Sequence, residues 1–143
     1  MCSSDLAMAE ALRLTDAERS SELPRLAALR DQLVDALQAA LPDVHETVPR
    51  SHKVAGSAHV CIDGIENEAL LYLLDEAGVC ASAASACAAG AMEPSHVLAA
   101  MGVPRDRALG ALRLTLGRTT TPADVERGAD AVVSAVRRLR RVA

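Results

Sequence analysis

An α/β (α+β) fold, a small sheet packed against helices, is what this 143-residue sequence predicts. Three observations carry the prediction. GALRLTLG, at 110–117, alternates apolar and polar residues as a half-buried strand does. TPADVERGADAVVSAVRRLRR, at 121–141, repeats apolar residues at helical spacing behind a strong start signal. Between the N-terminus and these two segments, shorter helix-like and strand-like stretches alternate, as they do in mixed two-layer domains. The chain divides into N-terminal linking helices over 1–42 and a small α/β domain over 43–143.

Taken in order, residues 7–19 have helical composition, with Leu12 near their centre. Ser20, Ser21 and Pro24 interrupt that pattern, so a second helix is expected with Ser21 as its cap and Pro24 in its first turn. Leu26, Leu29, Leu33 and Leu37 form its apolar face, and Pro42 ends it. Residues 43–57 read as loop. AHVCI, at 58–62, reads as a strand, and ENEALLYLLDEAG, at 66–78, as a helix stopped by Gly78. VCASA, at 79–83, is expected to be short and extended, and EPSHVLAAMG, at 93–102, to be a helix with Pro94 in its first turn. Leu112, Leu114 and Leu116 share one face of the next strand, and Arg113 and Thr115 the other. In the last helix Thr121 is the cap, Pro122 comes first and Asp124 completes a capping box. Val125, Ala129, Val132, Val136 and Leu139 make its buried stripe.

Composition narrows the function. Alanine supplies 29 residues and Tyr72 is the one aromatic, so each apolar residue buries little area and a second surface is expected to cover part of the domain. The net charge of −4 argues against general nucleic-acid binding. Residues 1–100 carry 15 acids against 6 bases, whereas 101–143 carry 4 against 9. The basic end, with Arg137, Arg138, Arg140 and Arg141, suits a solvated helix C-terminus. No run is long and apolar enough for a membrane span or a leader peptide. Cys2, Cys61, Cys80 and Cys87 form no CxxC pair, which argues against zinc and fits a cytoplasmic setting with reduced thiols.

Two side chains stand out chemically. Cys87 lies in ASAASACAAGAMEPSH, at 81–96, a run of small residues suited to a loop, where a thiolate needs a nearby positive charge or helix N-terminus to act as nucleophile. By pattern alone a small buried hydrophobe is the commoner role for such a cysteine. Cys61 and Cys80 sit in strand patterns and are expected in the core. Arg113 is either a half-exposed strand residue paired with an acid or a clamp for a substrate carboxylate. His96, in the first turn of its helix, is a surface histidine or an acid–base group.

SACAAGAMEPSHVLAAMGV (85–103) followed by ALRLTLGRTTTPADVE (111–126) resembles the C-terminal part of the cysteine desulfurases, a branch of the class V aminotransferases. The family pattern is Ser-x-Cys, a few small residues, Glu-Pro-Ser-His/Tyr-Val-Leu, then Arg-Phe/Leu-Ser/Thr-Leu-Gly-Arg. GIENEALLYLLDEAGV (64–79) resembles the family segment before the cysteine loop, and the similarity runs from about residue 7 onward. The resemblance implies the C-terminal small domain of a fold-type I pyridoxal-phosphate transferase. It implies that Cys87, on a loop over 81–93, takes sulfur from L-cysteine as a persulfide and releases L-alanine. Arg113 then matches the residue that binds the substrate carboxylate. The long-loop members also serve iron–sulfur scaffold proteins, so a sulfur acceptor or scaffold is the implied partner, and Cys87 the implied transient cluster ligand. A homodimer is implied for the full-length enzyme.

There are departures. Ala84 stands where the family often has Gly, and Ala88 and Ala89 where it has Ser or Thr. Lys53 is the sole lysine, and SHKVAG (51–56) mimics the cofactor loop, yet it lies just before a small-domain strand and has no Gly-Pro-Lys-Gly continuation. Cofactor attachment is therefore expected outside this chain, which reads as a C-terminal fragment inactive by itself. The alternatives are a stand-alone module that accepts sulfur or docks on a scaffold, and a structural remnant with no chemistry.

Overall fold

The computed structural model describes residues 3–83 and 95–141. Its elements run α1 (Ser3–Ala40), β1 (Val44–Glu46), a 3₁₀ turn (Arg50–His52), β2 (Ser57–Ile62), α2 (Asn67–Glu76), α3 (His96–Ala100), α4 (Arg105–Ala108), β3 (Ala111–Thr115) and α5 (Pro122–Arg140). The three strands form one antiparallel sheet in the order β1-β2-β3.

Alternation decides which way each strand residue points. Ala58, Val60 and Ile62 of β2 lie beside Leu112 and Leu114 of β3, all buried, and this face receives α1, α2 and α5. Leu29, Leu33, Val34 and Leu37 come from α1, Leu70 and Leu74 from α2, and Val125, Val132 and Val136 from α5. The core is thus leucine and valine. Several alanines, Ala7, Ala9, Ala11 and Ala17, lie instead on the exposed start of α1. A smaller apolar cluster, Cys61, Leu98, Ala108 and Ala111 with Val103 against it, seats α3 and α4 on the opposite face.

Local signals explain the ends. Thr121 accepts from the Asp124 backbone N–H and Asp124 caps in return, completing the expected box, with Pro122 opening α5. Gly78 takes φ +74° after α2, the left-handed conformation that a helix stop requires. Gly110 is different: a Cβ there would lie 1.9 Å from the Ile62 carbonyl oxygen, so only glycine lets β3 enter beside β2. The Gly110 carbonyl in turn accepts from the Ile62 N–H at 2.9 Å.

Four expectations are corrected. The two N-terminal helices are one, because Pro24 sits on an exposed turn where the carbonyl that loses its partner is open to solvent. Ion pairs Glu10–Arg13, Asp16–Arg19 and Glu22–Arg25 brace that helix. Arg25 also donates to the carbonyls of Thr120 and Arg118, at 2.8 and 3.0 Å, tying the middle of α1 to the β3–α5 connection. The stretch 43–57 is not all loop, since β1 forms there by pairing with β2. The helix expected over 93–102 is described only as the short α3, and Pro94 lies outside the described residues. Cys80 is exposed rather than buried, because its segment joins the sheet through a single bridge, Ser82 to Arg113.

The basic end of α5 is partly engaged: Arg138 pairs with Glu76 at 3.5 Å, and Arg140 with Asp43. Among the described residues no helix is long and apolar enough to cross a membrane.

The burial pattern divides α1 into an anchored half and an exposed half. Leu37→Ala is expected to cost about 2–5 kcal/mol. Leu12→Ala, at a position 64% exposed, should stay within about 0.5 kcal/mol. Urea midpoints of the two variants check this.

Candidate functional site

The sheet face away from α1 and α5 carries a row of polar residues. Register places Thr47, just past β1, beside His59 of β2, and His59 directly opposite Arg113 of β3. Ser82 bridges to Arg113 on the far side, exchanging backbone hydrogen bonds of 3.0 and 2.6 Å. The row is therefore Thr47, His59, Arg113 and Ser82, four side chains whose strand parity excludes them from the main core.

Three members of this row, Thr47, His59 and Arg113, floor a cavity of about 300 Å³. Its polar lining includes Thr47, His59, Arg113 and Ser95, and its apolar wall comes from Val97, Leu98 and Met101 of α3 and its C-cap. Arg113 is exposed, and among the described residues no carboxylate pairs with its guanidinium. Among the described residues, then, the acid partner expected of a structural arginine is not found beside Arg113. Its neighbours differ: Arg107 pairs with Asp63 at 2.9 Å and Arg118 with Glu18 at 2.9 Å.

His59 is half-buried, and its Nδ1 lies 3.1 Å from the Thr47 hydroxyl. Burial lowers its pKa below the ordinary histidine value, and the Arg113 and Lys53 cations lower it further. Both effects favour the neutral ring.

Lys53 is not available for cofactor attachment. Its side chain is 3% exposed, and Nζ donates to Glu46 Oε2 at 2.5 Å. Arg50 donates to the other Glu46 oxygen at 2.9 Å. Lys53 lines no part of the Arg113 cavity. The described residues accordingly do not fit a covalent pyridoxal-phosphate site.

Cys61 is fully buried beneath α3 and α4, and burial pushes its thiol up to about 11, so it is inert as a nucleophile. His96 is exposed at the start of α3 and does not line the cavity. Cys87, Ala84, Ala88 and Ala89 lie outside the described residues. The residues on either side of that segment, Ala83 and Ser95, both line the Arg113 cavity.

Sequence reading singled out Arg113 but missed Thr47, His59 and Ser82 as its companions. The available signal was parity: His59 falls out of phase with Ala58, Val60 and Ile62. Without the β2–β3 register nothing said what stood opposite.

Comparison with known proteins defines the class. The pattern of the family described as aminotransferase class-V matches residues 2–127, so the chain belongs to that family. Its relatives are more particular. An IscS-like cysteine desulfurase of Mycobacterium tuberculosis is 46% identical over 120 residues, 83% of this chain and 30% of the relative. The cysteine desulfurase IscS of Methanosarcina thermophila is 39% identical over 133 residues, 93% of this chain and 33% of the relative. Among solved structures, a NifS-like protein superposes with a TM-score of 0.77 at 26% identity, covering 90% of this chain and 32% of its own. A NifS-like protein from Rickettsia africae shares the fold at a TM-score of 0.71 and 22% identity, covering 87% of this chain and 31% of its own. The chain spans about a third of the length of these relatives.

Two outcomes follow. A thiol reagent should label Cys80 rapidly and Cys61 only after unfolding, as read by peptide mass spectrometry. Glu46→Gln leaves Lys53 buried without its counter-charge and should cost about 3 kcal/mol at pH 7. Burial raises the Glu46 pKa, but hydrogen bonds from Lys53 and Arg50 outweigh it and the net shift is downward from 4.5. Its stabilisation is present above the unfolded carboxyl's titration and lost as pH falls through the folded one. Denaturant titrations below pH 4.5 should thus show a flatter acid limb in the variant.

Proposed function

We propose that this chain is the C-terminal part of a cysteine desulfurase, in which Cys87 receives the sulfur of L-cysteine as a persulfide and Arg113 holds the substrate carboxylate. The observation that carries the reading is convergence at one cavity. Ala83 and Ser95, which bracket the segment bearing Cys87, line the same space as Arg113, whose guanidinium meets no carboxylate among the described residues. Cys87 is four residues beyond Ala83 in the sequence.

In this reading the chain's own residues bind, orient and accept. The planar Arg113 fork matches a carboxylate in two-point geometry, which fixes the substrate's direction. The Cys87 thiolate attacks the substrate sulfur, a new S–S bond forms, the substrate C–S bond breaks, and alanine leaves after its carbon gains a proton. Pyridoxal phosphate, the cofactor that makes such C–S cleavage accessible, is held by residues outside this chain. The persulfide passes to an acceptor or iron–sulfur scaffold protein in the cytoplasm, and the full-length enzyme is a homodimer. A second reading, a sulfur-accepting module without catalysis of its own, draws on the buried engagement of Lys53 with Glu46.

The test joins this chain to the N-terminal two thirds of the Mycobacterium tuberculosis relative in place of that protein's own C-terminal part. The chimera should convert L-cysteine to alanine and carry a trappable persulfide on Cys87, whereas the isolated chain with pyridoxal phosphate should do neither. Cys87→Ser should abolish the persulfide. Arg113→Gln should raise KM about 10–100-fold, the loss of a charge-assisted pair worth about 1.5–3 kcal/mol. A chimera that folds and binds cofactor yet leaves Cys87 unmodified would overturn the desulfurase reading. Sulfur transfer to Cys87 of the isolated chain from a separate desulfurase would establish the second.

A further inference from the structure

The polar row holds more than one ligand-ready group. Among the described residues His59 Nδ1 meets the Thr47 hydroxyl, and Nε2 has no hydrogen-bond partner. His59 shares the cavity with Arg113 and stands directly opposite it across β2 and β3, where side chains begin about 5 Å apart. Two nitrogen-bearing groups thus face one space that no acidic side chain enters among the described residues.

We propose that His59 is the second ligand of the carboxylate that Arg113 holds, and that carboxylate binding draws a proton from solvent onto its ring. The proposal rests on the reading of Arg113 as a carboxylate clamp. Thr47 is what lets the ring change state without losing a partner. When the ring is neutral, the Thr47 hydroxyl donates to Nδ1. When it is protonated, Nδ1–H donates to Oγ1, and the hydroxyl turns to the His59 carbonyl, 3.4 Å away. Nε2–H then points its charge at the ligand instead of leaving a buried cation unpaired.

The direction of the pH effect follows from what faces the ring. Arg113 on β3 and Lys53 in the β1–β2 connection are the cations, with Glu46 already committed to Lys53. His45 and Cys61 lie one row along the sheet, and α3 contributes no charged side chain to the cavity. A carboxylate on Arg113 cancels the larger of the two repulsions and adds an attraction, so the protonated ring is favoured in the complex. The extra affinity is present at low pH and is lost as pH rises through the titration of His59 in the complex.

The experiment is an NMR titration of the histidine ring protons of this chain from pH 5.5 to 8. Lactate is the probe, an ionised carboxylate throughout that range, lactamide is the uncharged control, and ionic strength is constant. His59→Gln assigns the His59 signal by removing it. Lactate, and not lactamide, should move the His59 titration to higher pH. Lactate affinity should rise about fivefold from pH 8 to pH 5.5. The rise should vanish in His59→Gln, and Arg113→Gln should abolish binding. Lactate binding that needs Arg113 but leaves the His59 titration unmoved would overturn the proposal and leave the clamp standing. Absence of lactate binding across the range would overturn both.

Discussion

Antiparallel pairing of β2 with β3 is the constraint on which the rest depends. It sets Ala58, Val60 and Ile62 against Leu112 and Leu114 on one face, and His59 against Arg113 on the other. A slip of one residue would exchange the faces of the moving strand, driving Arg113 into the helices and Leu112 into the cavity. The hydrophobic core therefore does more than stabilise the domain. By rejecting every other register, it holds an arginine and a histidine side by side where neither would otherwise stay. The same pairing brings Ser82 onto the edge of β3, and with it the start of the segment that leads to Cys87.

Around this sheet the helices have unequal duties. α5 and the second half of α1 bury leucines and valines against the apolar face. The first half of α1 buries none of its side chains: Leu6, Met8 and Leu12 are all more than half exposed. Its continuity comes from ion pairs along its own surface and from Arg25 and Glu18, which grip the connection between β3 and α5. Few of the described alanines are buried, Ala58, Ala108, Ala111, Ala129 and Ala135, so a core made mainly of leucine and valine coexists with an alanine-rich composition.

Much of this was legible because it is local. The box at Thr121 and Asp124, the alternation of β3 and the leucine stripe of α1 are each written within a few consecutive residues. What escaped reading is nonlocal. β1 has three residues and no alternation of its own, and exists because β2 offers it an edge. Pro24 reads as a break, and only the exposure of its turn shows why the helix continues. Cys80 resembles a strand cysteine until the strand proves to be a single bridge. At the site, Arg113 was conspicuous as a charge within a leucine strand, but His59 in AHVCI looked like any residue of a buried strand. Its meaning lay in a partner more than fifty positions away.

Gly110 shows how closely folding and chemistry are bound here. It does not line the Arg113 cavity and carries no functional group, yet its missing side chain is what allows the entrance of β3 to lie against the Ile62 carbonyl. Any larger residue would wedge the two strands apart three positions before Arg113, so the damage would reach the polar row as well as the core. In a mutational survey such a position would score like a member of the reaction machinery. Evolutionary constraint at Gly110 would thus record a demand on the distance between two strands, and a reader of that constraint alone would mistake geometry for catalysis.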